Sequence, residues 1–162
     1  MPSSENQVLI EQIAAVFVHH MFPSFSAPGF LACPDDDSAR AVLAAVRQAA
    51  ALKGVGMEVV DVRPAPEALL GEVTARLGGF YAESATDPTT AIRLLALDGF
   101  DVFEGTGRDG PTYPFRSKFQ FDENYRWLFL GRDWGRLQRL FKSYHLPLYQ
   151  AATDLTPKAW RA

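Results

Sequence analysis

Three aspartates, Asp35, Asp36 and Asp37, stand in a row between the apolar run Gly29-Phe30-Leu31-Ala32-Cys33 and an Ala-rich stretch. A fourth, Asp98, ends the run Ile92-Arg93-Leu94-Leu95-Ala96-Leu97. Carboxylates are hard oxygen donors that suit Mg²⁺, so Asp35, Asp36 and Asp98, if clustered at strand ends, are candidate metal ligands. Asp98, Asp101 and Glu104 are a second acidic group, with capping of a solvated strand end as the plainer alternative. Cys33 precedes Pro34 at a helix start, where the dipole favours a thiolate. The aspartates beside it oppose that charge, so a buried structural cysteine is expected. His19 and His20 have no carboxylate or cysteine close in sequence to complete a ligand set, and read as interfacial residues.

A different chemistry, recognition, is suggested further along. From Arg126 to Lys142 the chain carries Arg126, Arg132, Arg136, Arg139 and Lys142 against Asp133 alone. Such a cluster is either a solvated helix face or a contact surface for an acidic partner or a phosphate. The stretch from Tyr113 to Tyr125 is aromatic and basic, and Tyr, Trp and Arg are the types enriched at interface hot spots. The expected partner-binding surface is therefore Tyr113, Phe115, Arg116, Arg132, Trp134, Arg136 and Arg139.

The elements that must position these residues follow from periodicity and punctuation. Leu9, Ile13, Val16, Phe17 and His20 recur at helical spacing from Glu5 to Phe22, and Pro23 ends that helix. Gly29–Cys33 reads as a buried strand. Ala39–Leu52 reads as a helix with Val42, Leu43, Val46 and Ala50 on one face, capped by the aspartates and stopped at Lys53-Gly54. Met57–Val62 is a second strand and Glu67–Leu77 a helix opened by Pro64 and Pro66. After a loop at Ser84–Thr90, Ile92–Asp98 is a third strand. Glu104–Pro114 reads as an exposed excursion and Phe115–Phe121 as a hairpin or extended segment. Arg126–Leu130 is a fourth strand, Arg132–Tyr144 a helix, and the tail from Pro147 is irregular, with Trp160 packing back. Short apolar strands alternating with helices predict an α/β fold, a three-layer sandwich with a mainly parallel sheet flanked by helices. In such sheets ligands gather at the carboxyl ends of the strands.

The 162 residues suit a single α/β domain, 1–162, in which 1–28 is an N-terminal helix and linker packing on the core. With 48% hydrophobic and 12% aromatic residues, intrinsic disorder is excluded. One cysteine excludes an internal disulfide, and with three histidines it excludes a Cys-rich zinc site. No apolar run reaches the roughly 18 residues needed to span a bilayer. A free thiol without an export signal points to the cytoplasm. The net charge of −3 argues against a general nucleic-acid binder, although residues 1–81 carry −4 and residues 82–162 carry +1.

Two family resemblances bear on the same residues. Leu94-Leu95-Ala96-Leu97-Asp98-Gly99-Phe100-Asp101 resembles the Walker B strand of AAA+ and STAND-type P-loop ATPases. The run from Arg126 through Gly131, Arg132 and Asp133, its helix, and Pro147-Leu148-Tyr149 is similar to the sensor strand of that group, especially its archaeal-ATPase-like branch. The resemblance covers roughly Gly29 to Tyr149 and implies that Asp98 would help hold Mg²⁺ and that Arg132 would sense a γ-phosphate. The turn equivalent to Walker A departs from it. G-x-x-x-x-G-K-[ST] cradles phosphates in backbone amides, whereas Ala32-Cys33-Pro34-Asp35-Asp36-Asp37-Ser38 has no Gly and no Lys. The second acid that often follows Walker B is also missing, with Gly99 in its place. Phe30 to Arg40 also resembles the first strand and acidic turn of response-regulator receiver domains, which implies Mg²⁺ on Asp35 and Asp36 and a phosphoacceptor at Asp98.

No G-x-S-x-G or H-E-x-x-H occurs, and with Walker A lacking, these absences point away from an enzyme. The sequence thus predicts a non-catalytic pseudo-NTPase-like adaptor or regulatory protein, needing no cofactor and binding another protein. The alternative is a Mg²⁺-dependent receiver-like phosphoryl-accepting domain.

Overall fold

The structure, a computed structural model, describes residues 3–21, 28–76, 93–120 and 125–161. Its framework is a sheet of five parallel strands: β1 (Gly29–Ala32), β2 (Gly56–Asp61), β3 (Arg93–Asp98), β4 (Tyr125–Gly131) and β5 (Thr153–Asp154). They lie side by side in the order β2-β3-β4-β1-β5. The helices are α1 (Ser4–Val16), α2 (Asp36–Ala51), α3 (69–76), α4 (Thr112–Gln120) and α5 (Trp134–Lys142). The expected α/β fold with a parallel sheet is what is found.

Burial on both sheet faces explains why β1, β3 and β4 read as continuous apolar runs. Along them alternate residues serve opposite layers. Phe30, Leu95, Leu97, Trp127 and Phe129 join Leu69, Val73, Phe115, Leu137 and Phe141 in one core layer. Leu31, Cys33, Leu94, Ala96, Leu128 and Leu130 join Ile10, Ile13, Val42 and Val46 of α1 and α2 in the other. The first layer is packed with aromatic rings: Phe100 and Phe129 lie 4.7 Å apart, and Phe30 stacks on Phe141 at 4.8 Å. Ala-rich α2 lets the second layer pack closely on the sheet.

Several expectations are corrected. The segment expected as a hairpin or extended chain from Phe115 is helix α4, beginning at Thr112. Pro114 falls in its first turn, where a missing N–H costs nothing. Helix α2 starts at Asp36 rather than Ala39, because Asp35 is its N-cap. The tail contributes β5, a strand of two residues beside β1, and Trp160 packs back against α1 as expected. The receiver-like reading requires the flavodoxin-like order β2-β1-β3-β4-β5. Here β3 and β4 separate β1 from β2, so the strand order is not that of a receiver. The loop expected at Ser84–Thr90 lies outside the described residues. Among the described residues, no helix is long and apolar enough to cross a membrane.

Candidate functional site

At the carboxyl end of the sheet, β1 passes into α2 through Cys33, Pro34 and Asp35 alone. The Asp35 carboxylate accepts from the Ser38 amide at 2.7 Å, and that bond holds its pKa below the ordinary aspartate value. Asp36 and Asp37 occupy the first helical turn. The positive end of the α2 dipole, a ready seat for an external anion, is thus faced by three carboxylates of the chain itself.

Asp98 ends β3 and is 7% exposed. Arg132, just past β4, donates Nη1 and Nη2 to the two Asp98 oxygens at 2.9 and 3.1 Å, a bidentate fork. Its Nε donates to Asp36 Oδ1 at 2.9 Å. Arg63, just past β2, donates Nε and Nη2 to Asp61 at 2.9 Å each and lies 3.8 Å from Asp98 Oδ2 and 3.4 Å from Asp36 Oδ1. The hydrogen bond from Arg132 holds the Asp36 carboxyl below its usual range, and that from Arg63 does the same for Asp61. Three strand ends and a helix N-terminus are therefore tied by two guanidiniums and three carboxylates.

The backbone around the network is shaped to admit it. Gly99 has φ +78°, and a Cβ there would come 2.2 Å from Arg63 Cγ. The residue following Asp98 cannot bear a side chain, acidic or otherwise, while Arg63 keeps its place. Asp101 accepts the amides of Arg132 and Asp133, each at 2.9 Å, and so orients the turn that presents Arg132. Asp133 in turn accepts from the Arg136 amide at 3.0 Å and caps α5. Capping, the plainer reading of the second acidic group, describes Asp101, while Glu104 accepts from Arg139 at 2.8 Å. Cys33 is buried, which pushes its thiol up to about 12.

Of the metal candidates, Asp36 and Asp98 meet through Arg132, whereas Asp35 is turned to its cap. Among the described residues no group of three His, Cys, Asp or Glu is placed to hold a metal ion. The expected contact residues scatter. Phe115 is fully buried between Phe100, Trp127 and Phe129 and is withdrawn from the surface, because α4 turns that face onto the sheet. Arg132 belongs to the network just described. Trp134 donates Nε1 to Asp154 at 2.9 Å and is overlain by Arg161 at 5.6 Å, which makes it a clasp between α5 and β5. Arg116 is half-buried. Tyr113, 53% exposed, and Arg139 do come together, at a cleft of about 430 Å³ with Glu104, Ser143, His145 and Leu146. Arg136 lies one turn before Arg139 on α5, and Tyr144, 83% exposed, lies just beyond the helix. Arg63 and Asp61 were missed in the sequence. An Asp-x-Arg at a strand end was the available signal, but its meaning depends on which strands are neighbours.

Neither a protein-family model nor a curated protein matches the chain. Solved structures do. The Walker-type ATPase of Pyrococcus abyssi superposes with a TM-score of 0.52 at 13% identity, over 94% of this chain and 52% of the other. The ORC1 protein of Aeropyrum pernix, solved in complex with DNA, superposes with a TM-score of 0.56 at 17% identity, over 96% of this chain and 45% of the other. The chain thus spans about half the length of each. At these identities the likeness is one of fold, a parallel α/β sheet flanked by helices.

Proposed function

We propose that this chain is a non-catalytic, pseudo-NTPase-like adaptor or regulatory protein that works by docking on another protein. The observation that carries the reading is the fork of Arg132 on Asp98 and Asp36. In a P-loop site, Mg²⁺ is held between the Walker B acid and the hydroxyl of the phosphate loop. Here a guanidinium spans the corresponding carboxylate and the α2 N-terminus, with both Asp98 oxygens engaged. A three-residue turn without Gly or Lys offers no ring of amides to a triphosphate. Each carboxylate left near a phosphate opposes it by about 1 to 4 kcal/mol, depending on the effective dielectric. The residues present therefore do not suit Mg²⁺ and a nucleotide.

The docking face that remains after folding is the exposed side of α5 with its adjoining cleft: Tyr113, Arg136 and Arg139. The double reversal Arg136→Glu/Arg139→Glu tests it. Both arginines sit in solvent-exposed ion pairs, Arg136 with Asp133 and Arg139 with Glu104, of a kind that adds little to stability, so melting should shift by only a few degrees. Affinity capture with the wild type should recover a partner that the double variant loses. Equal recovery by both overturns this surface. A salt-dependent gel shift with duplex DNA, included because the Aeropyrum pernix structure holds DNA, should be negative, and a positive result would replace the protein partner with a nucleic acid.

A further inference from the structure

Strand β2 is a margin of the sheet, paired among the described residues with β3 alone. Val62 donates its amide to the Asp98 carbonyl at 3.0 Å. In a parallel ladder the residues bonded to one neighbour alternate, so with Val60 beside Leu97 and Glu58 beside Leu95, Glu58 and Val60 turn their backbone groups toward β3. Met57, Val59 and Asp61 turn theirs outward. Among the described residues its six positions run in unbroken register and include no proline or bulge, with Glu58 and Asp61 as its charged members. Val59 also floors a cleft of about 600 Å³ whose other wall is the flank of α2, with Leu43, Ala44, Arg47 and Ala51. Arg47 makes no ion pair among the described residues.

We propose that β2 pairs antiparallel with β2 of a second copy of this chain, about a twofold axis through Val59, joining the two sheets into one. The strand is its own complement in that register, as an isologous contact requires. Val59 meets Val59, and Met57 stands opposite Asp61 of the second copy. Met57 and Val59 face the α2 layer, and by alternation Asp61 lies on that side too. Helix α2 runs back toward the start of β2, so Arg47, one turn before its end, lies near the level of Met57. The carboxylate of Asp61 from the second copy then arrives beside the unpaired guanidinium, twice by symmetry, while the apolar clefts close on each other. This pairing does not depend on whether the chain binds nucleotide or an adaptor partner.

Light scattering on the purified full chain, over a concentration series, should give twice the chain mass. Val59→Pro should give one chain mass with an unchanged far-ultraviolet spectrum, because the Val59 amide points away from β3 and its loss leaves the internal ladder whole. A cross-link provides the second readout. Facing Val59 Cα atoms in a bonded antiparallel pair would lie about 5.5 Å apart, within disulfide range. Val59→Cys should therefore form a linked dimer under mild oxidation, while the exposed Val8→Cys should not, and buried Cys33 should take no part. A wild type that is monomeric at every concentration, a dimer that Val59→Pro leaves intact, or equal cross-linking of the two cysteine variants overturns the proposal. Should Val59→Pro fail to fold, the cross-link decides alone.

Discussion

With Arg132 removed, Asp98 would keep as its nearest cation only Arg63, whose Nη2 is 3.8 Å away. Stripping one partner from a largely buried pair leaves an uncompensated charge, which costs several times what the pair contributes net. Arg132→Ala should thus lower stability by about 2–4 kcal/mol, and adding Asp98→Ala should restore part of that loss. Denaturant titration of both variants checks this, and a double variant no more stable than Arg132→Ala alone would contradict the coupling. Phe115 and Tyr113 make a second contrast within one turn of α4. Phe115→Ala should cost about 3–5 kcal/mol by opening a cavity among rings. Tyr113→Ala, at an exposed position, should stay within about 0.5 kcal/mol. In the sequence both read as contact residues, because residue type alone does not tell which side of a helix an aromatic takes. Asp98 and Arg132 were both legible as special, one as a metal ligand and one as a sensor. Their mutual bond was not, since it depends on β3 and β4 being neighbours.

Strands β1, β3 and β4 were readable because each is buried on both faces and so carries a run of four apolar residues, 29–32, 94–97 and 127–130. Helix α2 was readable from its apolar spacing and its acidic cap. Helix α4 was misjudged because its aromatic residues favour strands on propensity, and packing of Phe115 onto the sheet overrode that preference. Strand β5 has two residues and no pattern to detect; it is fixed by tertiary contacts, with Trp134 and Gln138 of α5 both donating to Asp154 at 2.9 Å. Trp134→Phe keeps the ring and removes the donor. It should cost about 1–2 kcal/mol, since the charged acceptor loses one of its bonds. Melting of that variant with and without Asp154→Ala checks the assignment. Additive losses would show that Trp134 and Asp154 do not act together.

Across the whole molecule, the carboxylates of Asp35, Asp36 and Asp61 all titrate below the ordinary aspartate value in the folded state. A depressed folded pKa means that the unfolded chain binds more protons, so stability rises with pH through that range. The contribution is complete above the unfolded value and is lost as pH falls through the folded ones. Urea midpoints should therefore be level from neutrality to about pH 5 and decline below it; a midpoint that rises on acidification would contradict the network. The same carboxylates bear on the central claim, that the carboxyl end of this sheet is satisfied by its own arginines and does not receive a nucleotide. A melting curve with millimolar Mg²⁺ and ATP tests that directly. Saturating a site at 100 times Kd would stabilise the fold by about 2.7 kcal/mol, or several degrees at this chain length. The expected result is a curve superimposable on that of the free protein. A reproducible upward shift with Mg²⁺-ATP, abolished by Asp98→Ala, would contradict it.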